Sequence, residues 1–275
     1  MGQADRCSHL RQTYEKIAIE ETDRRAALKI IVLIKEIIDP ETVSCLQKEL
    51  YGTIKGRYVM NPNDAFALEE ALRLKDTYGG QVIVISLGRE ESEAMVRNAL
   101  ALGADRANLI ISNSNDGISV SKILADNIRQ EGRYDLILTS LVAVGENRGE
   151  IPGRISMLLG IPFVNQVNQI QINSKAITCE RETETEIELV ELSLPALAAV
   201  NARINTPRLP TVMNLLQVNK MSLQKFVLPY SFSANNENSA YQINASNRKR
   251  WIIEAPDSKA AVSFLIKAIV SEKVI

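Results

Sequence analysis

The sequence predicts a doubly wound α/β fold: a mostly parallel sheet flanked by helices, with an antiparallel extension and a C-terminal arm. Three observations carry this. Short β-branched apolar runs recur along the first half of the chain, as strands buried on both faces require. Amphipathic segments closed by glycine lie between them, and strands alternating with helices imply right-handed parallel crossovers. From about Phe163 the texture changes to apolar residues spaced among polar ones, joined by short turns.

In order, residues 1–28 are polar, with little to bury, and read as a flexible N-terminal extension. The fold begins at Lys29, where Ile30, Ile31, Val32, Leu33 and Ile34 form the first strand. Asn61-Pro62-Asn63-Asp64 reads as a helix start: Asn61 caps, Pro62 suits the first turn, and Asp64 complements the dipole. The helix runs over 65–78 and stops at Gly79-Gly80. Further strands are expected at 82–87, 108–111 and 135–139, with helices over 90–102 and 118–130. The stretch from Val164 to Ile172, with 177–181, 187–194 and 195–201, reads as strands of an antiparallel part or an extension of the sheet, and residues 211–220 as a short amphipathic helix. The α/β domain is thus expected to span 29–220, and 221–275 to be a linker and arm. Within the arm, 231–250 is rich in Asn and Ser, while Ala261, Phe264, Leu265 and Ala268 mark one face of a last helix over 258–271.

Composition excludes several classes of function. The chain has 275 residues and a net charge of −1, so no broad basic face for nucleic acid is expected. The run Arg248-Lys249-Arg250 reads as solvated. Three scattered cysteines and a single histidine, His9, disfavour zinc, iron–sulfur and Ser-His-Asp chemistry. Free thiols suit a reducing cytosol, and no apolar run is long enough to cross a bilayer, so a cytoplasmic protein is expected. Glycine-rich dinucleotide and P-loop motifs are absent. Adjacent carboxylates such as Glu69-Glu70 and Glu90-Glu91 read as a solvated face.

In a doubly wound sheet a ligand sits beyond the carboxyl ends of the strands, where the strand order reverses. Here those ends fall near 33–35, 87–88, Ser112 and 139–144.

Four stretches, in order, resemble the beta subunit of electron transfer flavoproteins: Lys29 to Asp39; Met60-Asn61-Pro62-Asn63-Asp64 with the Leu68 to Lys75 helix; Ala99-Leu100-Ala101-Leu102-Gly103-Ala104-Asp105-Arg106-Ala107; and Leu194-Pro195-Ala196-Leu197 followed by Asn205-Thr206-Pro207-Arg208-Leu209-Pro210. The stretch Cys179-Glu180-Arg181-Glu182 matches a further strand, and the C-terminal part resembles the FixA-like branch more loosely.

The resemblance implies a Rossmann-like fold and an electron carrier without substrate chemistry of its own. It implies a heterodimer with an alpha subunit that holds FAD near the interface, working with a flavin dehydrogenase of the acyl-CoA dehydrogenase kind. It also implies a pocket for AMP, or for a second FAD in electron-bifurcating members. That pocket would be lined by Leu33, Asn61, Pro62, Asn63, Asp64, Leu87 and the loop Ala143-Val144-Gly145-Glu146-Asn147-Arg148-Gly149-Glu150-Ile151, which runs on to Ile155. The family loop reads close to A-I-D-G-D-T-G-Q-V-G-P. This chain keeps Gly149, but Glu150 stands where Gln is usual and Pro152-Gly153 reverse the common order. Proline lacks the N–H a phosphate cradle uses, and Glu150 brings negative charge that Arg148 offsets. Val212 matches the apolar residue with which relatives anchor their dehydrogenase, and Glu182 a glutamate suited to an ion pair with the alpha subunit. The rival reading is a stand-alone adenine-nucleotide-binding module of the stress-protein type, a homodimer without flavin.

Overall fold

The structure, a computed structural model, describes residues 27–39, 58–114, 116–144, 148–173, 175–228 and 252–271. The N-terminal extension, apart from Ala27 and Leu28, the 248–250 basic run and the 231–250 linker lie outside the described residues. The chain divides into two units, Met1–Asn235 and Asn236–Ile275.

The first unit is built on a nine-stranded sheet ordered β11-β5-β4-β1-β6-β10-β7-β8-β9. Its strands are β1 (Leu28–Ile34), β4 (Gly80–Gly88), β5 (Arg106–Ile111), β6 (Leu136–Ser140), β7 (Phe163–Ile172), β8 (Ala176–Glu182), β9 (Ile187–Ser193), β10 (Ala196–Val200) and β11 (Ser222–Val227). The pairs β7–β8 and β8–β9 are antiparallel, and every other pair is parallel. A separate antiparallel pair joins β2 (Glu36–Ile38) to β3 (Tyr58–Met60). Four helices pack on the sheet: α1 (Pro62–Tyr78), α2 (Glu93–Leu102), α3 (Gly117–Gln130) and α4 (Ile151–Leu159). A shorter helix, α5 (Val212–Gln217), precedes β11.

Period-two alternation explains the two cores. Ile30, Val32 and Ile34 of β1, with Val82 and Val84 of β4, face one side and pack under Leu68, Ala71 and Leu72 of α1 and Val96 and Leu100 of α2. Ile31, Leu33, Ile83 and Ile85 face the other side, under Ile123, Leu124 and Ile128 of α3 and Ile155 of α4. Since both faces are covered, the strands are apolar at nearly every position, which makes them legible as continuous runs.

The chain winds from β1 through β4 to β5 in one direction, then crosses by α3 to β6 on the other flank of β1. The strand order therefore reverses between β1 and β6. These two strands are paired only from Ile30↔Leu136 to Val32↔Leu138, whereas β1 and β4 stay paired to Ile34↔Ser86. Pairing ends beyond Val32 and Leu138, and the strand reversal sets the crevice position of such a sheet at these carboxyl ends.

The structure adds to the expected elements in three places. The loop expected over 143–155 turns helical at Ile151, with Pro152 in the first turn of α4, where its missing N–H costs no hydrogen bond. The β2–β3 pair carries no long apolar run. The sheet also continues past Lys220: β11 pairs with β5 along its whole length, anchored by Leu223 on one core and Phe226 on the other. The second unit contains helix α6 (Ser258–Ser271), whose first turn is capped by Asp257 accepting from Ala260 N at 2.7 Å.

Candidate functional site

The crevice at the strand reversal is organised by a buried polar node. Asn61 is 0% exposed and Asp64 3% exposed, both at the start of α1. The Asp64 carboxylate accepts Lys35 N at 2.7 Å from the end of β1, Asn61 Nδ2 at 3.0 Å, and the hydroxyl of Ser140 at the end of β6. Asn61 Nδ2 also lies 3.3 Å from both Ser140 Oγ and Val142 O, and Asn61 Oδ1 accepts Val144 N at 3.3 Å. Asn63 Nδ2 donates to Val142 O at 3.2 Å. Asn61 thus stands at the N-cap of α1 without a side-chain cap bond. Its amide reaches across the crevice instead of closing the helix, a correction to the capping role expected for it.

Burial pushes the Asp64 carboxyl up to about 6, against the opposing hydrogen bonds from Ser140, Lys35 and Asn61. Asp64 is thus less a surface complement to the helix dipole than a buried acid tying α1 to the tips of β1 and β6.

The other pocket residues converge from separate elements. Leu33 is buried and Leu87 half-buried, both within the second core. Pro62 is exposed at the first position of α1 and Asn63 half-buried. Ala143 is half-buried and Val144 exposed on the outgoing loop. Gly145, Glu146 and Asn147 lie outside the described residues. Arg148 is exposed, Gly149 takes φ +64°, and Ile151 packs against the second core.

Glu150 bends toward two helices. Its Oε2 accepts Arg154 Nη2 at 2.9 Å and Nε at 3.2 Å. Its Oε1 rests against the first residue of α3, so that a Cβ at Gly117 would lie 2.3 Å from it. The preceding Asp116 caps α3, accepting Ser119 N at 2.9 Å and Ile118 N at 3.1 Å. Hydrogen bonding to Ser119 and Ile118 holds the Asp116 carboxyl below its ordinary range.

A second cluster lies away from the crevice. Glu69 and Glu70 of α1 were expected on a solvated face; instead they are 6% and 5% exposed. The incoming segment 205–208 covers them. Arg208 donates to Glu69 through Nε at 2.9 Å, Nη2 at 3.1 Å and its backbone N at 3.0 Å, and its Nη2 also reaches Asp76 at 2.9 Å. Asn205 Nδ2 donates to Glu70 Oε2 and to Phe66 O, both at 3.0 Å. Burial raises the Glu70 carboxyl above its ordinary value. Asn214 Nδ2 pins the next helix to Ala101 O of α2 at 2.9 Å.

This clamp leaves an apolar ridge in solvent: Leu209, Val212, Met213 and Leu216 are 87%, 73%, 63% and 75% exposed. The contact between these residues was invisible in the sequence, because neighbouring glutamates on a helix carry no mark of the distant arginine that covers them. Glu182 is likewise held within the chain: Arg203 Nη1 lies 2.7 Å from both its oxygens and Asn168 Nδ2 3.1 Å away. Those bonds hold its carboxyl below the ordinary range.

Among the described residues no cluster of His, Cys, Asp and Glu could hold a metal ion, and no helix is long and apolar enough to cross a membrane.

Comparison with known proteins agrees with this architecture. The electron transfer flavoprotein domain matches residues 53–228. The electron transfer flavoprotein subunit beta of Bacillus subtilis (strain 168) is 30% identical over 205 residues, covering 73% of this chain and 79% of its own. That of Clostridium acetobutylicum is 31% identical over 191 residues, covering 67% and 73%. The caffeyl-CoA reductase-Etf complex subunit CarD of Acetobacterium woodii is 30% identical over 200 residues, covering 69% and 74%. With this match running through the parallel sheet, the crevice and the clamped ridge, the chain belongs to the electron transfer flavoprotein family, on the side of its beta subunits.

Proposed function

We propose that this chain is the beta subunit of a heterodimeric electron transfer flavoprotein, passing electrons between a flavin dehydrogenase and an acceptor through FAD held mainly by an alpha subunit. The observation that carries this reading is the ridge of Leu209, Val212, Met213 and Leu216, exposed yet fastened to α1 and α2 through Arg208, Asn205 and Asn214. Apolar side chains held rigidly in water mark an interaction site, and a small one suits transient docking.

FAD supplies the redox chemistry when bound; the protein supplies position and electrostatics. This subunit then acts as a base: the ridge engages the dehydrogenase, with Val212 as its anchor, while other surfaces hold the flavin-bearing subunit. The C-terminal arm with α6 packs on that partner, its apolar face of Ala261, Phe264, Leu265 and Ala268 turned to it. The dehydrogenase is of the acyl-CoA dehydrogenase kind. The chain does no chemistry on a substrate of its own and works in the cytoplasm, where the buried free thiol of Cys179 stays reduced.

The test is co-expression with candidate flavin-bearing alpha subunits. A yellow one-to-one complex that accepts electrons from an acyl-CoA dehydrogenase is expected. A colourless protein with no affinity for any of them would overturn the reading.

A further inference from the structure

The strand reversal between β1 and β6 is where a fold of this kind receives a phosphate-bearing ligand, and helix N-termini beside the strand ends are what receive it. In this chain several of the donors at those termini are already engaged or missing. Ser119 N and Ile118 N of α3 donate to Asp116. Pro152, in the first turn of α4, has no N–H to offer. Between the two helices lies the Glu150 carboxylate, seated in the space that Gly117 leaves by lacking a side chain. Arg154, which could otherwise greet an incoming anion, spends its guanidinium on Glu150.

We propose that Glu150 acts as an internal anion, occupying the phosphate position of the crevice and excluding nucleotide phosphates from this subunit. Three features make the arrangement self-consistent. The carboxylate carries the sign a phosphate would bring, so the positive ends of α3 and α4 are already compensated. Its tether to Arg154 spans one helical turn, the spacing at which such pairs form. A phosphate entering between these helices would meet the Glu150 carboxylate, a like-charge contact. The residues present therefore do not fit AMP or a second FAD bound through its phosphates. The inference rests on the fold and on these contacts, and stands apart from the choice of redox partner.

The experiment is calorimetric titration of the purified full-length chain and of Glu150→Gln with AMP, adenosine and inorganic pyrophosphate. Glutamine keeps the shape, removes the charge and frees Arg154. The wild-type chain is expected to bind AMP no more tightly than adenosine and to give no heat with pyrophosphate. The variant is expected to gain a preference for AMP over adenosine of about tenfold or more. A wild-type chain that prefers AMP over adenosine by tenfold, or that releases stoichiometric AMP on denaturation, overturns the proposal whether or not the variant folds. A folded variant that gains no preference overturns the role of Glu150. Neither readout involves flavin, so failure here is distinct from failure of the electron-transfer reading.

Discussion

The hydroxyl of Ser140 donates to the carboxylate of Asp64 across 76 positions of sequence, joining the last residue of β6 to the first turn of α1. Ser140 Oγ is also 3.2 Å from Val142 O, yet a serine carries one proton. Val142 O also accepts from Asn63 Nδ2, so it is satisfied when Ser140 gives its proton to Asp64. Desolvation is therefore what favours the neutral acid, against the hydrogen bonds that favour the ionised one.

That arrangement makes stability depend on pH. The folded carboxyl holds its proton up to about pH 6 against an ordinary aspartate value of 3.8. Between these values the folded state binds more protons than the unfolded one, so this group's contribution falls as pH rises through the window and is least favourable above about 6. The full effect is on the order of 3 kcal/mol. Asp64→Asn is expected to flatten the difference between urea midpoints at pH 4.5 and pH 7.5 relative to wild type. An unchanged difference would contradict the assignment.

Val212→Asp is expected to lower kcat/KM for electron transfer from the dehydrogenase by about tenfold or more, because a charge would have to be desolvated at the anchor. The side chain is 73% exposed, so melting temperature and the yield of heterodimer are expected to stay unchanged. Stopped-flow reduction at varied dehydrogenase concentration separates a docking defect from an electron-transfer defect.

Arg208→Ala would leave the Glu69 carboxylate, 6% exposed, without its main partner. The pair is partly open to solvent, so the expected loss is about 1–2 kcal/mol rather than that of a fully buried pair. Arg208→Lys would recover little, because one ammonium cannot reproduce bonds from Nε, Nη2 and the bridge to Asp76. Both variants should also slow docking by loosening the ridge. Thermal melts with reduction kinetics check this, and equal behaviour of Lys and wild type would argue against the clamp.

Gly80 begins β4 at φ +126°, and a Cβ there would lie 2.1 Å from Leu28 O. The obstacle is backbone, so no rotamer change relieves it. Gly80→Ala is expected to cost about 2–3 kcal/mol and to appear as a lower urea midpoint. Gly132, with φ +72° but open space around it, is the comparison: its alanine variant bears only the backbone strain.

The sequence by itself determined the parallel sheet, because strands covered on both faces must be apolar throughout and leave a continuous trace at Ile30 to Ile34, at Val82 to Ile85 and at Leu136 to Leu138. It also located the carboxyl ends of the strands, which follow from strand positions, and Asn61 and Asp64 stand beside two of those ends. Only the tertiary structure decided what those residues do. Asn61 looked like a helix cap and Glu69-Glu70 like a wet surface because local pattern describes a residue's own element, not what folds over it. Ser140 and Arg208 meet their partners across 76 and 139 positions, and Gly117 meets Glu150 from another helix. Polar contacts over such separations depend on where the chain returns, and hydrophobic periodicity sets the face a residue presents without naming the group that will meet it.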